Sequence, residues 1–206
     1  HRIISSNVKN KSYDDAKYIL GESDASPDNP DYCILVYSRE EDEAWWHYNE
    51  GGWNREHIWP QSRLGSASDS DLHNLKPADV GINSSRGNSP FVDGSGSYGE
   101  RGSGWFPGEE DKGDIARIVF YMNIRWNLSI TPSNIGSLQT FIKWHYEDPV
   151  DDFERNRNEV IYRWQKNRNP FIDHPEFVQM IFEDEDNPLT FTIYLFFEDK
   201  KNRLWN

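Results

Sequence analysis

The sequence predicts an α+β fold, and three observations predict it. Short extended runs punctuated by Gly, Ser and Asn fill the first half of the chain. From Gly113 onward the apolar residues instead recur at helical spacing. Aromatic residues make up 15% of a chain that is only 35% hydrophobic, so 9 Trp, 10 Tyr and 11 Phe supply much of the core. That content outweighs the 28% charged residues and the mean hydropathy of −0.89, and it places the chain among folded proteins. The 206 residues are read as a single domain, 1–206.

Taken in order, residues 12–20 form a helix with Ser12 as its cap, and a loop rich in Asp, Pro and Ser leads to a strand at 32–37. Cys33 lies in that strand, has no cysteine partner and reads as a buried, inert thiol. A charged turn follows at 39–43. Its Glu40-Glu41-Asp42-Glu43 run lacks the ligand spacing and central Gly of a calcium loop and reads as solvated. Residues 45–104 read as short strands joined by structured loops, the kind of region where functional residues concentrate. Ile115, Ile118, Val119 and Met122 then mark one helix, with further helices at about 133–145 and 153–166. Asn169-Pro170 breaks the third, Asp173-His174-Pro175 opens a short fourth, and the alternation over 189–197 predicts a last strand.

No run approaches the roughly 20 apolar residues that a membrane-spanning helix needs. A formal charge of −13 opposes binding to a polyanion, but its distribution is uneven. Residues 55–101 carry 5 basic and 6 acidic residues, against 5 and 11 before them and 12 and 18 after. The middle of the chain is therefore nearly neutral, and a bound divalent cation would reverse its local sign. The His1-Arg2 start, in place of a Met, is read as the trace of something removed upstream, either a natural signal peptide or residues cut away, and leaves export, as a secreted or periplasmic protein, open.

Two segments carry chemistry. Within Asn54-Arg55-Glu56-His57-Ile58-Trp59-Pro60, a carboxylate and an imidazole are adjacent. Neighbours on a regular strand point to opposite faces, so the expectation is a strand that bends near Pro60 and lets Glu56 and His57 share one cavity. Alone, such a pair is more often a surface Glu beside a partly buried His. The second segment, Asp71-Leu72-His73-Asn74-Leu75-Lys76-Pro77, precedes Asn83, Arg86 and Asn88. Pro77 is placed in the first turn of a short helix that carries Asn83 and Arg86 on one face. His73 and Asn74, taken singly, are as well suited to satisfying buried backbone groups.

Together these blocks resemble the endonuclease I family, in the ββα-metal (His-Me finger) group of nucleases, and above all its secreted bacterial members. Gly113-Asp114-Ile115-Ala116-Arg117 with Tyr121-Met122 is similar to the family's following helix, and Asn167-Arg168-Asn169-Pro170-Phe171 to its closing motif. The resemblance implies a ββα-metal core at about 54–172, with added helices and a C-terminal strand segment. It implies a largely sequence-nonspecific endonuclease that hydrolyses DNA, RNA or both to 5'-phosphate and 3'-hydroxyl ends. His57 would be the general base, Glu56 and Asn83 the ligands of one divalent cation, and Arg86 a catalytic arginine at the phosphate. Arg55, Arg63, Asn74 and Asn88 would contact substrate. Hard oxygen ligands favour Mg, with Mn or Ca as alternatives. The chain departs from relatives that carry a phosphate-contacting Arg in a long cysteine-containing insertion, since only Gln61 to Ser70 lies between the two blocks here. Arg86, which matches a family position, and Arg63, inferred only from its place in the shortened loop, are the replacements it offers.

A glycoside hydrolase or carbohydrate-binding domain is the rival reading, since sugar stacking uses Trp and sugar hydrolysis uses paired carboxylates, but no specific pair stands out. A third is a non-catalytic domain on the nuclease fold. Trp45, Trp46, Trp53, Trp59 and Trp105 are expected in the core, and the basic run from Arg155 to Arg168 on an ion-paired helix. The protein is expected to act as a monomer.

Overall fold

The computed structural model describes residues 2–46 and 52–183. The architecture is α+β, with three small antiparallel two-stranded sheets in the first half and the long helices in the second. After a short helix α1 (Arg2–Ser5), α2 spans Tyr13–Ser23. Ser12 caps it as expected: its hydroxyl accepts from the Asp15 N–H while the Asp15 carboxylate accepts from the Ser12 N–H.

The expected strand at 32–37 is shorter. Strand β1 covers Tyr32–Ile34 and pairs with β2, Glu41–Glu43, so all of the acidic run but Glu40 is strand and not turn. Leu35 to Arg39 form the reversal, with Tyr37 and Arg39 at φ 76° and 59°. Apolarity alone suggested a longer strand; the chain turns there because the Leu35 N–H pairs with the Glu40 carbonyl and that of Val36 with Pro77. Cys33 is fully buried, and burial pushes its thiol pKa well up, as an inert role requires.

Strand β3 (Asn54–His57) pairs with β4 (Leu75–Ala78), placing Glu56 opposite Lys76 and His57 opposite Leu75. Helix α3 (Val80–Arg86) follows at once, so strand, strand and helix form one continuous unit. Pro77 is thus in a strand and not in a helical turn. It gives up a donor, but its carbonyl accepts from the Val36 N–H, and Asp79 caps α3 in its place through the Ile82 N–H. A small hairpin, β5 (Gly99–Arg101) and β6 (Gly104–Phe106), precedes the helices.

Helix α4 (Lys112–Trp126) is buried along most of its length and packs on α5 (Leu138–Glu147). Helix α6 (Asp152–Gln165) covers α2, and α7 (Pro170–Asp173), capped by Asn169, follows. The fourth helix therefore starts at Pro170, three residues before its expected origin, because Pro fits the first helical position. A single π-type turn covers Gln179–Glu183. The predicted strand at 189–197 lies outside the described residues. Aromatics dominate the core: Phe91, Phe106 and Phe141 each set an edge against or near Trp144 with centroids 5.7–6.3 Å apart, pairs worth about 0.5–1.5 kcal/mol each beyond burial. At Gly113 a Cβ would fall 2.0 Å from the Asp148 carbonyl oxygen, so only glycine lets α4 start this close to the loop before α6.

Buried polar groups lock these layers to β3 and β4. The Asp71 carboxylate accepts from Trp126 Nε1 (2.7 Å), Gln165 Nε2 (2.8 Å) and Tyr121 Oη (3.1 Å). Asn167, from the closing motif, donates to the same tyrosine oxygen and to the Ile4 carbonyl. Lys76 lies between Asp114 (3.2 Å) and Asp24 (3.6 Å), all three buried. The recurring motif residues are thus largely the polar groups that a desolvated interior obliges the chain to pair.

Candidate active site

The two faces of β3 do different things. Asn54 and Glu56 contact α3: Asn83 Nδ2 donates to Asn54 Oδ1 at 2.7 Å, and Arg86 Nη1 lies 3.1 Å from Glu56 Oε1. Two residues apart on a strand meet two residues three apart on a helix, so the polar seam follows from the two periodicities. Arg55 and His57 contact α2. The Tyr13 ring stacks on His57 with centroids 5.4 Å apart, and the Arg55 guanidinium lies 3.7 Å from the centre of the same ring while donating to the Tyr13 carbonyl. The chain does bend at Ile58 and Trp59, just before Pro60, but only after His57, so the bend does not bring Glu56 and His57 into one cavity. Pairing with β4 runs through His57, so the pleat sends the two side chains to opposite flanks.

Glu56 is 3% exposed. Burial raises its pKa; the Arg86 charge and the Tyr37 hydroxyl, which donates to Oε1 at 2.7 Å, oppose that shift. Both donors meet Oε1, leaving Oε2 outside the clamp. Asn83 spends its amide nitrogen on Asn54, which leaves its oxygen without a hydrogen bond among the described residues. Two hard oxygens thus flank the β3–α3 seam, and that donor set fits a hard divalent cation completed by water. Among the described residues there is no cluster of three or more His, Cys, Asp or Glu that could form a soft or zinc-like site.

His57 is 7% exposed. Its Nε2 lies 2.8 Å from the Asp69 carbonyl oxygen, which can only accept, so Nε2 carries the hydrogen and Nδ1 the lone pair. Burial holds its pKa below the usual histidine value, so the ring is neutral near pH 7.

Two residues expected at the substrate turn inward. Arg86 is 1% exposed: it donates to the carbonyls of His57 (3.1 Å), Ile58 (2.9 Å) and Gly87 (3.3 Å), and its guanidinium lies over Phe91. It pins the end of β3 instead of facing a phosphate, because the carbonyls leaving a strand end are the acceptors a fork of five donors satisfies. Asn74 is fully buried and clasps the Trp59 backbone, donating to its carbonyl at 3.1 Å and accepting from its N–H at 2.7 Å. Arg55 and Arg63 are half-buried, the latter donating to the Asn134 carbonyl, and Asn88 is exposed beyond α3. His73 is fully buried beside Tyr121 with its pKa lowered to about 3 by desolvation, an interior role. Trp53, Trp59 and Trp105 are core residues, and Trp45 is 55% exposed. The basic run is ion-paired: Arg155 with Asp152, Arg157 with Asp24, Arg163 with Glu22, and Arg168 with Asp173.

Two tyrosines were missed. Tyr13 reads in sequence as the first residue of a scaffold helix, and Tyr37 as the last residue of a strand. No local signal marks either one, since each meets the site across sequence separations of 19 or more residues.

Residues 1–176 match the sequence pattern of Endonuclease I. The chain belongs to the endonuclease I family and is a nuclease. It is 40% identical over 208 residues to an extracellular ribonuclease of Bacillus amyloliquefaciens, covering 88% of this chain and 72% of that protein. It is 39% identical, with the same coverage, to an extracellular ribonuclease of Bacillus subtilis (strain 168). A periplasmic deoxyribonuclease of Aeromonas hydrophila is 31% identical over 114 residues, half of this chain and 47% of that protein.

Proposed function

We propose that this nuclease is a cation-dependent, largely sequence-nonspecific endonuclease that works outside the cytoplasm and leaves 5'-phosphate and 3'-hydroxyl ends. The observation that carries the reading is the division of labour across β3, with a neutral imidazole on one flank and two hard oxygens on the other. In-line displacement needs the nucleophile and the leaving oxygen on opposite sides of phosphorus. A base and a cation site that straddle one strand suit that requirement, provided the phosphodiester crosses the strand end.

His57 Nδ1 takes a proton from water, the water oxygen bonds to phosphorus, and the bond to the 3' oxygen breaks, that oxygen gaining a proton from solvent to become the 3'-hydroxyl. Glu56 and Asn83 would hold one divalent cation, Mg first and Mn or Ca as alternatives. When bound, that cation supplies positive charge against the phosphate and the leaving oxygen. Asp69 and Tyr13 keep the imidazole in one tautomer and one orientation. Arg55, with Arg63 and Asn88, contributes polar groups around the site. RNA is the first substrate to test, because the relatives matched over most of the chain are named ribonucleases; DNA is the second. The experiment is incubation of the purified protein with structured RNA, single-stranded DNA and plasmid, each with Mg and with EDTA. Cleavage that persists undiminished in EDTA would remove the cation from the mechanism.

A further inference from the structure

Tyr37 is a fully buried aromatic residue at φ 76°, a backbone conformation that bulky side chains rarely adopt. Of the other non-glycine residues at positive φ among those described, Asn127 and Lys166 end helices, Asn7 is of a type that tolerates the region, and Arg39 lies in the same reversal two residues on, held by Asp111. Tyr37 is the buried aromatic residue of this strained turn, and three contacts hold it there. Its N–H donates to Asp111 Oδ2 at 2.7 Å, its ring meets the edge of Trp105 at 5.6 Å, and its hydroxyl donates to Glu56 Oε1 at 2.7 Å. Asp111 is itself fixed by Arg39, and the preceding Val36 N–H is anchored on the Pro77 carbonyl of β4. The strained turn is therefore braced against the strand beside Glu56. Strain that surrounding structure maintains at a site is commonly part of that site's preorganisation.

Tyr37 and Arg86 reach the same carboxylate oxygen from different elements, at 2.7 and 3.1 Å. Two donors on one oxygen fix both the rotamer and the plane of the carboxylate, and so set the direction of the other oxygen. We infer that Tyr37 is a positioning residue of the cation site: with Arg86 it holds Glu56 by Oε1 and presents Oε2 as the ligand oxygen. This rests on the reading of Glu56 and Asn83 as cation ligands. The hydroxyl of Tyr37 acts through Glu56 and touches neither substrate nor water nucleophile.

Tyr37→Phe removes one hydroxyl and leaves the ring on Trp105. Mn binding to the full-length protein, followed by electron paramagnetic resonance, should weaken about 10- to 100-fold, the usual cost of losing a group that orients a metal ligand. The metal concentration for half-maximal cleavage should rise in step, and kcat should recover at saturating metal. Unchanged Mn affinity in a folded Tyr37→Phe protein would overturn the inference. Wild-type protein that binds no Mn and cleaves in EDTA would instead overturn the cation reading beneath it. Should the variant fail to fold, wild-type protein labelled at the tyrosine Cζ decides: the phenol resonance that Glu56→Gln displaces should also move on Mg addition, and a resonance indifferent to Mg overturns the inference.

Discussion

His57 donates its Nε2–H to the carbonyl oxygen of Asp69 at 2.8 Å, and that bond decides which ring nitrogen can accept a proton. With the hydrogen held on Nε2, the lone pair is on Nδ1. His57→Ala should therefore lower the cleavage rate by about 10²- to 10⁴-fold, the usual worth of a positioned base. Folding and nucleic-acid affinity should stay close to wild type. Initial-rate assays on purified protein check this, and a variant that keeps most of its rate would remove His57 from the base role.

The pH dependence has a definite sign. Burial lowers the His57 pKa, and the base works only when neutral, so the rate should be flat from pH 8 down to about 6.5, the ordinary histidine value. Activity should fall only below that, as pH drops through the folded-state pKa. Rates measured at saturating metal isolate this limb from loss of metal. A midpoint above pH 7 would contradict the assignment.

Glu56→Gln should raise the Mg concentration needed for half-maximal cleavage more than Asn83→Asp does. The first removes the site's anionic ligand; the second keeps an oxygen and adds charge. Asn83→Asp also replaces the donor to Asn54 Oδ1 with an acceptor, which turns a 2.7 Å hydrogen bond into a repulsion, so some loss of thermal stability should accompany it. Magnesium titrations of the three proteins rank the effects, and the reverse order would displace Glu56 as a ligand.

The cation and the phosphodiester should help each other bind. Arg86 already offsets the Glu56 charge at 3.1 Å and Asn83 is neutral, so the free site offers a cation no net negative charge until a phosphate arrives. In the His57→Ala protein, Mn affinity measured by calorimetry should rise about 5- to 150-fold when an oligonucleotide is present, with the reciprocal gain for the oligonucleotide. Equal affinities with and without it would show that the sites are uncoupled.

Arg86 and Asn74 should prove to be holding residues. Arg86→Met leaves the buried Glu56 carboxylate without its cation, which should cost about 3–5 kcal/mol in urea unfolding. Asn74→Ala abandons the Trp59 N–H and carbonyl and should cost about 1–3 kcal/mol. An Arg86→Met protein that lost activity at full stability and with unchanged Mn affinity would restore the arginine to the phosphate.

The sequence by itself determined the fold class, the order of the blocks and the local elements whose signals are local. The Ser12 cap, the helical stripe through Ile115 and Met122, and the break at Asn169-Pro170 all depend on neighbours a few residues away, and a linear reading reaches them. The sequence's resemblance to the endonuclease I family, and not spacing alone, brought Glu56, His57 and Asn83 forward as a group. Only the tertiary structure decided which way each side chain points. The reversal at Tyr37, the placement of Pro77 in a strand and the inward turn of Arg86 and Asn74 each follow from a partner distant in sequence: Asp111 for Tyr37, Val36 for Pro77, Glu56 and the end of β3 for Arg86, and Trp59 for Asn74. A buried polar group takes whichever partner satisfies it once water is excluded, and that partner is defined only when the chain has closed around it.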